Sequence, residues 1–317
     1  MTHPLIATLT MNPALDLWTA TERVAPDHKL RCQAPRLDPG GGGINVARAI
    51  TKLGGAAIAL YPAGGPNGDV IDRLLAGEHV PQKVIPVNGW TRESVTIQET
   101  STGSQFRFVL PGPELSDDEQ SACLMALTAL DPRPAFLVVS GSMPQGVSVE
   151  FMGRIQDVSR QLGTRLVVDV SGPVLASVRG AFLIKPSLRE LSDLFGTQLD
   201  SPSQQVDAAR RFVVEGHAEA VAVSLGSGGA LLVTREIARR YSAPKVEASS
   251  AVGAGDSMVA GILMALAEGN NLVESVRFGV AAGSAAVLHP GTGLCTRDDT
   301  EKLVAMVDDE GVDGVRG

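Results

Sequence analysis

The chain has 317 residues, of which 44% are hydrophobic and 20% are charged, and its formal net charge is −8. This length suits one large α/β domain or two smaller ones, and the acidic balance argues against a protein that binds nucleic acid or a membrane surface. The three cysteines, Cys32, Cys123 and Cys295, are far apart and lack metal-ligand spacing, so we expect reduced thiols in a cytoplasmic protein. We also expect no signal peptide and no membrane span, because no long apolar run is present.

Short apolar runs alternate with helical periodicity along most of the chain. Continuous apolar strands between helices are typical of a mostly parallel sheet covered on both faces, so the pattern predicts an α/β fold. The predicted strands are 5–9, 56–61, 135–139, 165–169, 182–184, 220–224 and 230–233. The predicted helices are 44–53, 70–76, 117–129, 149–161, 204–215, 255–268, 272–288 and 298–307, and the tail 308–317 is predicted to be loose.

Two segments, 16–36 and 92–110, interrupt this order with period-two alternation of polar and apolar residues. Alternation predicts strands with one wet and one dry face, so we expect a small antiparallel β lid. A second copy of the chain would cover its dry face, and the alternative is a sheet edge folded back on its own domain. The catalytic α/β domain is then expected to comprise residues 1–15, 37–91 and 111–317.

Charged side chains accompany the first strand and the expected lid. Asp16 follows the first strand, in the crevice where α/β proteins bind ligands, and it is either a sugar-hydroxyl ligand or a turn-forming side chain. Lys29, Arg31 and Arg92 lie on the expected lid strands. They would form a phosphate clamp or act as solvated charges that protect a sheet edge.

Four consecutive glycines at 40–43 precede a helical pattern that contains Asn45. Bare backbone at the start of a helix suits a polar small molecule, with Asn45 as donor and acceptor. A dinucleotide site is disfavoured, because no buried strand precedes the cluster and no glycine follows three residues after Gly43. The chain has no Gly-Lys dipeptide and so no Walker A loop, and a flexible turn is the alternative.

Polar residues also follow two later strands. Lys185 and Glu190 come after the strand at 182–184, where they would meet nucleotide phosphate and Mg²⁺ or simply begin a helix. Ser224, Gly226 and Gly229 end the next predicted strand in a glycine turn. That turn suits a nucleotide or a tight connection.

The segment 252–257, Val-Gly-Ala-Gly-Asp-Ser, leads into a helical pattern. Unpaired N–H groups and the helix dipole make such a start an anion site. Asp256 at its edge is placed to take a proton from an attacking hydroxyl. In isolation this aspartate would more simply be an N-cap, and the other motifs favour the catalytic interpretation.

The chain resembles the PfkB/ribokinase family of sugar kinases from end to end, through both signatures at 40–49 and 252–257. The matches are closest to the family members that act on fructose 6-phosphate, and they include 29–32, 90–92, 278–286 and 294–295. The resemblance implies a ribokinase-like three-layer α/β/α domain and ATP-dependent phosphorylation of fructose 6-phosphate at its C1 hydroxyl. It also implies Mg²⁺, a homodimer through the β lid and inhibition by ATP.

The resemblance further implies roles for individual residues. Asp256 would be the catalytic base, with the anion hole formed by the amides of Gly253, Ala254 and Gly255. The sugar would be held by Asp16, Gly41, Gly42, Gly43, Asn45 and Ser140, and its 6-phosphate by Lys29, Arg31 and Arg92. ATP would contact Lys185, Ser187, Ser224, Gly226, Gly229 and Ser284, with Mg²⁺ at Glu190. A K⁺ site is implied near Ser250, Val252, Ala286 and Gly291.

Three residues depart from the family pattern. Ser187 stands where the family's Asn-x-x-Glu motif has asparagine, which predicts a weaker or water-bridged organisation of Mg²⁺ and phosphate. His289 and Gly293 replace the asparagine and arginine of the cation loop. The alternatives to the fructose 6-phosphate assignment are sister kinases for tagatose 6-phosphate or fructose 1-phosphate, which usually carry a lysine within the glycine run, and a non-catalytic sugar-phosphate sensor. A dinucleotide oxidoreductase is disfavoured.

Overall fold

A ten-stranded, mostly parallel sheet forms the centre of the computed structural model, which describes residues 3–289 and 291–312. The strands are β1 (Ile6–Leu9), β2 (Ala14–Thr21), β3 (Arg36–Gly40), β4 (Ala57–Ala63), β5 (Gln82–Pro86), β6 (Arg92–Glu99), β7 (Gln105–Val109), β8 (Phe136–Ser140), β9 (Arg165–Asp169), β10 (Ala181–Ile184), β11 (Ala218–Ser224), β12 (Ala230–Val233), β13 (Ala238–Ser242) and β14 (Asp308–Gly311). The helices are α1 (Gly42–Lys52), α2 (Gly65–Gly77), α3 (Asp117–Thr128), α4 (Val149–Leu162), α5 (Pro173–Ser177), α6 (Leu188–Phe195), α7 (Pro202–Val214), α8 (Ala254–Ala267), α9 (Leu272–Ala286) and α10 (Arg297–Val304). None of these described helices is both long and apolar enough to cross a membrane.

The large sheet has the strand order β14-β13-β12-β11-β10-β9-β8-β1-β4-β5. Strands β5 to β11 in this order pair in parallel, and the remaining three continue the sheet in antiparallel pairs. Successive strand residues point to opposite faces, so Val138 belongs to one buried core and Val139 to the other. The apolar runs therefore give the predicted α/β fold with helices on both faces.

Helices α8 and α9 pack closely against each other. A Cβ atom on Gly261 would lie 2.7 Å from the Cβ of Ala282 and 3.0 Å from the Cα of Gly279. Both glycines are thus needed for the two backbones to approach this closely.

A second, four-stranded sheet has the order β3-β2-β6-β7. Its two outer pairs are antiparallel and its central pair, β2 with β6, is parallel. It reaches from Ala14 to Gly40 in the first segment, beyond the expected limits of the lid.

Residues 22–35, between β2 and β3, form no strand, contrary to the alternation in the sequence. The segment touches β2 through the Gln33 amide, which donates to Ala20 O, and through threonine hydroxyls of β2 that donate to the carbonyls of Arg31 and Gln33. These scattered bonds do not make a ladder, so Lys29 and Arg31 lie on an irregular, exposed segment.

The tail was predicted to be loose, and this is wrong for residues 308–311, which form the edge strand β14. The reason is Asp309, which is 6% exposed and accepts salt bridges from both Arg239 and Arg277. Charge pairing therefore orders a segment with little apolar character. The rest of the predicted loose tail, 313–317, lies outside the described residues.

Candidate active site

Polar side chains from four neighbouring strands meet at one edge of the large sheet. Ser140, Asp169 and Ser224 are the last residues of β8, β9 and β11, and Lys185 follows β10 directly. Carboxyl ends of parallel strands share an edge, which is where open α/β sheets bind ligands. The structure therefore brings together residues that are more than 80 positions apart in sequence.

The glycine cluster forms a floor beside this edge. Gly41 has φ 115°, a conformation that favours glycine. A Cβ on Gly42 would lie 2.2 Å from Ser140 Oγ, and one on Gly43 would lie 2.6 Å from Thr10 Oγ1. The backbone at the start of α1 thus approaches the sheet as closely as it does only because side chains are absent.

Asp256 lies in the first turn of α8, next to the glycine floor. The helix is capped by Gly253 at φ 80°, with no side-chain cap, so the alternative that Asp256 is an N-cap is wrong. Asp256 Oδ2 instead accepts a hydrogen bond of 3.0 Å from Asn45 Nδ2, on the buried face of α1. Helices α1 and α8 thus bring together two residues, each from one of the two sequence motifs.

The Asp256 carboxyl is electrostatically tuned. Burial raises its pKa to about 7, and the neighbouring carboxylate of Asp169 adds to the rise, whereas the Asn45 hydrogen bond and Lys185 oppose it. A general base works best when its pKa is close to the working pH. This carboxyl can therefore receive and release a proton near neutrality.

Lys185 provides a buried positive charge beside Asp256. Its Nζ is 3.0 Å from Asp169 Oδ1, and a Cβ on Gly255 would lie 3.5 Å from the same nitrogen. Burial alone would lower the pKa of Lys185, but the carboxylates of Asp169 and Glu190 outweigh it and raise that pKa. The cation therefore persists against the first turn of α8, where helix and ammonium both favour an anion.

Sequence reasoning missed Asp169, which it treated only as the end of a strand. Its position, a carboxylate at the carboxyl end of an apolar run next to the strand that precedes Lys185, was the available signal.

Ser187 and Glu190 form a reciprocal capping box at the start of α6. Ser187 N donates to Glu190 Oε2 over 2.7 Å, and Ser187 Oγ accepts from Glu190 N over 3.2 Å. The helix start named as the alternative for this segment is therefore present. The charge of Glu190 nevertheless acts on Lys185, so the carboxylate also belongs to the site.

A cavity of about 510 Å³ opens at the start of α8, where Ala254 and Gly255 line it. Its lining includes four of the predicted nucleotide contacts, Ser224, Gly226, Gly229 and Ser284, but not Lys185 or Ser187. Two residues predicted for the anion hole, Ala254 and Gly255, also line it. Apolar side chains that the sequence analysis did not assign to the nucleotide complete the walls, among them Val246, Met258, Val280 and Val287. An apolar cavity with a few polar groups is typical of a small-molecule site.

Asp16 and Arg92 lie on the small sheet, and the charge of Asp16 acts on the Asp256 carboxyl. Burial raises the pKa of Asp16 to about 6, against the opposing charge of Arg92. Arg92 Nη2 donates to Asn12 O over 3.1 Å. Lys29 and Arg31 are exposed, and neither takes part in an ion pair among the described residues. The structure thus brings Arg92, but not the other two cations, to Asp16.

Ser250, Val252 and Gly291, three of the four residues to which the resemblance assigns a monovalent cation, lie close together beside Thr292. Ser250 Oγ donates to Gly291 O over 2.8 Å and accepts from Val252 N over 3.2 Å, while the Ala286 carbonyl accepts from His289 N. Thr292 Oγ1 is buried and has no hydrogen-bond partner among the described residues. Hydroxyl and carbonyl oxygens are the ligands that hard cations prefer.

The described part of the chain holds no group of three or more His, Cys, Asp or Glu side chains that could bind a metal ion. Mg²⁺ is usually held by one or two carboxylates together with substrate phosphates. The Glu190 carboxylate beside Lys185 fits that role, so the donor set suits a metal that arrives with a nucleotide.

A sheet edge with a buried carboxyl near both a glycine floor and a nucleotide-sized cavity defines a kinase for a small polar acceptor. In agreement, residues 9–299 match the model of the family described as pfkB family carbohydrate kinase, and the chain belongs to this family. It is 49% identical over 304 residues to the ATP-dependent 6-phosphofructokinase isozyme 2 of Mycobacterium tuberculosis, covering 96% of this chain and 90% of that protein. It is 45% identical over 305 residues to the protein of the same name from Escherichia coli, covering 95% and 98%.

Solved structures give the same relationship. The phosphofructokinase-2 of Escherichia coli in complex with potassium superposes with a TM-score of 0.91 at 44% identity, covering 96% of this chain and 99% of that one. The same enzyme in complex with fructose-6-phosphate gives a TM-score of 0.89 at 43% identity, with the same coverage. The ribokinase-like fold expected from the resemblance is therefore confirmed.

Proposed function

We propose that this chain catalyses the ATP-dependent phosphorylation of fructose 6-phosphate at its C1 hydroxyl to give fructose 1,6-bisphosphate. The observation that carries the proposal is the position of Asp256. It directly follows Gly255, which lines the nucleotide-sized cavity, and its carboxylate is held by Asn45, which follows the glycine floor in α1. The relatives at 45–49% identity, which bear the 6-phosphofructokinase name, support the choice of substrate.

The sugar lies on the glycine floor. Asp16 and Asn45 bind its hydroxyls, and the bare backbone at 41–43 together with Ser140 lets the ring approach the sheet. A side chain on Gly42 would collide with Ser140 Oγ, so this part of the floor has to be bare backbone. The C1 hydroxyl then points at Asp256.

The 6-phosphate is bound by cations from the small sheet. Arg92 already lies beside Asp16. Lys29 and Arg31 are on the exposed segment 22–35, and they reach the phosphate when that segment moves or when a second copy supplies it. Planar guanidinium groups suit a phosphate because they can donate two parallel hydrogen bonds.

ATP occupies the cavity, with its base between the apolar walls and its phosphates at the start of α8. The amides of Gly253, Ala254 and Gly255 and the Lys185 ammonium stabilise the charge on the transferring phosphoryl group. Asp256 Oδ1 accepts the proton of the attacking hydroxyl, because Oδ2 is engaged by Asn45. Ser187 and Glu190 lie next to these phosphates, where Glu190 would hold Mg²⁺, which would neutralise part of the phosphate charge.

The proposed K⁺ site is formed by oxygen atoms of Ser250, Val252, Ala286 and Gly291. It lies one turn before α8, so a bound cation would stabilise the loop that leads to the anion hole. The unpartnered Thr292 hydroxyl is a further oxygen available there. Replacing K⁺ by choline in the assay buffer should lower kcat without changing the fold.

The enzyme is proposed to be a homodimer through the small sheet. One row across all four strands is apolar, formed by Leu37, Leu17, Val95 and Phe108, and Phe108 is 51% exposed. A contiguous apolar face of this kind marks an interaction surface. Phe108→Asp should give a monomer in sedimentation velocity, whereas Met125→Asp, an exposed apolar site on α3, should leave the dimer intact.

Substrate choice is tested by measuring ADP release with fructose 6-phosphate, fructose 1-phosphate and tagatose 6-phosphate in parallel. We expect the highest kcat/KM with fructose 6-phosphate. A preference for either of the others would move the substrate within the same fold and mechanism. Binding of fructose 6-phosphate by calorimetry with no turnover of any sugar phosphate would favour the sensor.

A further inference from the structure

Arg48 is a buried charge that the proposed mechanism does not use. It lies on α1 one turn after Asn45, among the apolar residues of that helix, and its side chain is 3% exposed. A charge is rarely buried so completely unless it is paired and its donors are satisfied. The bonds of this guanidinium therefore indicate what it does.

Glu78, just after α2, neutralises the guanidinium. Arg48 Nε donates to Glu78 Oε2 over 2.7 Å and Nη2 donates to Oε1 over 2.6 Å, a bidentate pair with fixed geometry. The remaining terminal nitrogen, Nη1, is thereby aimed at two acceptors, Pro39 O and Asn45 Oδ1, each 3.2 Å away.

The bond to Asn45 determines which way its amide group faces. A guanidinium can only donate hydrogen bonds. Arg48 can therefore bond to the Asn45 amide only when its oxygen, Oδ1, faces the guanidinium. If the amide were flipped, Asn45 Nδ2 would face the N–H groups of Arg48, and Asn45 Oδ1 would face the carboxylate oxygen of Asp256. Because Oδ1 is held, Nδ2 faces the carboxylate and donates to Asp256 Oδ2 over 3.0 Å.

We propose that Arg48, anchored by Glu78, is a positioning residue that locks the Asn45 amide and through it holds the proposed base Asp256 with Oδ1 free. The inference rests on the proposed function for its effect on turnover. It adds a link to the small sheet as well, since the same nitrogen binds the carbonyl of Pro39 in β3.

Several charged groups face Asp256, and their effects on its pKa must be distinguished from the effect of Arg48. Asp169 at the end of β9, Lys185 after β10 and Asp16 on β2 all act on its pKa, and Arg48 itself lowers the pKa of Asp16. Arg48→Lys keeps the positive charge and removes only the planar guanidinium with its fixed donor geometry. It therefore isolates the orienting role from a general electrostatic one.

The experiment compares the wild type with Arg48→Lys and with Arg297→Lys as a matched control. Arg297 holds the other end of α1 through Leu53 O and forms an ion pair with Glu268, so its variant tests for a general loosening of that helix. Each protein is assayed for kcat and KM against pH, and the Asp256 carboxyl is titrated by ¹³C NMR, assigned with Asp256→Asn.

In Arg48→Lys we expect kcat to fall about tenfold or more with an unchanged KM for ATP, since misplacing a general base forfeits part of its contribution. The midpoints of the kcat profile and of the Asp256 titration should both move to higher pH by about one unit, because a hydrogen bond to the charged form is lost. Arg297→Lys should leave both midpoints in place. In an Asn45→Ala background, Arg48→Lys should produce no further shift.

If Arg48→Lys does not fold, Glu78→Gln takes its place, with a smaller shift in the same direction. Unchanged midpoints in the folded variant, or an equal shift in Arg297→Lys, would overturn the proposal. The NMR titration needs no turnover, so a shift there in a protein that phosphorylates no sugar would support the positioning role while refuting the proposed function.

Discussion

Replacing Asp256 by asparagine should stabilise the folded protein at alkaline pH, because the native site holds an ionised carboxyl at a cost. The pKa of Asp256 rises from 3.8 to about 7 on folding, mainly through burial. A raised native pKa means that the group favours the folded state below its unfolded pKa, and that this advantage is lost as the pH rises through the native pKa. The loss therefore develops between about pH 4 and pH 7 and is complete above that window.

Each unit of pKa shift corresponds to about 1.4 kcal/mol, so the full penalty is at most about 4 kcal/mol. Most of it, about 3 kcal/mol by the same relation, should appear between pH 4.5 and pH 8.5. Asparagine never ionises and keeps an oxygen for the Asn45 bond. The variant should thus gain stability relative to the wild type as the pH rises.

The assay is equilibrium unfolding in urea at pH 4.5 and pH 8.5 for the wild type, Asp256→Asn and a matched control, Asp207→Asn. Asp207 is an exposed carboxylate on α7, so its variant should track the wild type at both pH values. The reasoning would be refuted if Asp256→Asn were no more stable than the wild type at pH 8.5, or if the gap between them did not widen with pH.

Three further substitutions test the floor, the cap and the buried cation. Gly42→Ala should cost about 1–3 kcal/mol of stability and raise the KM for the sugar phosphate, because its Cβ would lie 2.2 Å from Ser140 Oγ; a normal KM would contradict the floor. Ser187→Ala should lower the free energy of unfolding by about 1 kcal/mol through loss of the capping box with Glu190, as measured by denaturation. Lys185→Met should reduce kcat on the order of 10²-fold in a steady-state assay, because it removes the positive charge beside the buried carboxyls of Asp169 and Asp256.

The sheet could be predicted from the sequence because its strands are short apolar runs with no rival interpretation. The strands that were missed, β5, β13 and β14, carry charged or proline residues and owe their order to neighbours. β14 illustrates this, because Asp309 is held by arginines on β13 and α9. The sequence around Asp309 contains no pattern that predicts these distant partners.

The parts of the site that consist of exposed backbone could be predicted, because glycine motifs mark them in the sequence. The parts that depend on side chains pairing across the fold could not. The glycines at 40–43 indicate bare backbone, and the glycine-rich start of α8 indicates an anion site. The pairing of Asp169 with Lys185 requires knowledge that β9 and β10 are neighbours. Arg48 and Glu78 resemble solvated charges in sequence, and only the packing of α1 shows that one of them is buried.

The central claim is that Asp256 takes the proton of the sugar hydroxyl during direct transfer from ATP. The most direct measurement is kcat for fructose 6-phosphate in the wild type and Asp256→Asn, with ATP affinity measured by calorimetry on both. A general base contributes about 10²–10⁴-fold, so we predict a loss of kcat of at least that size with nearly unchanged ATP affinity. A variant that keeps most of its kcat would contradict the account.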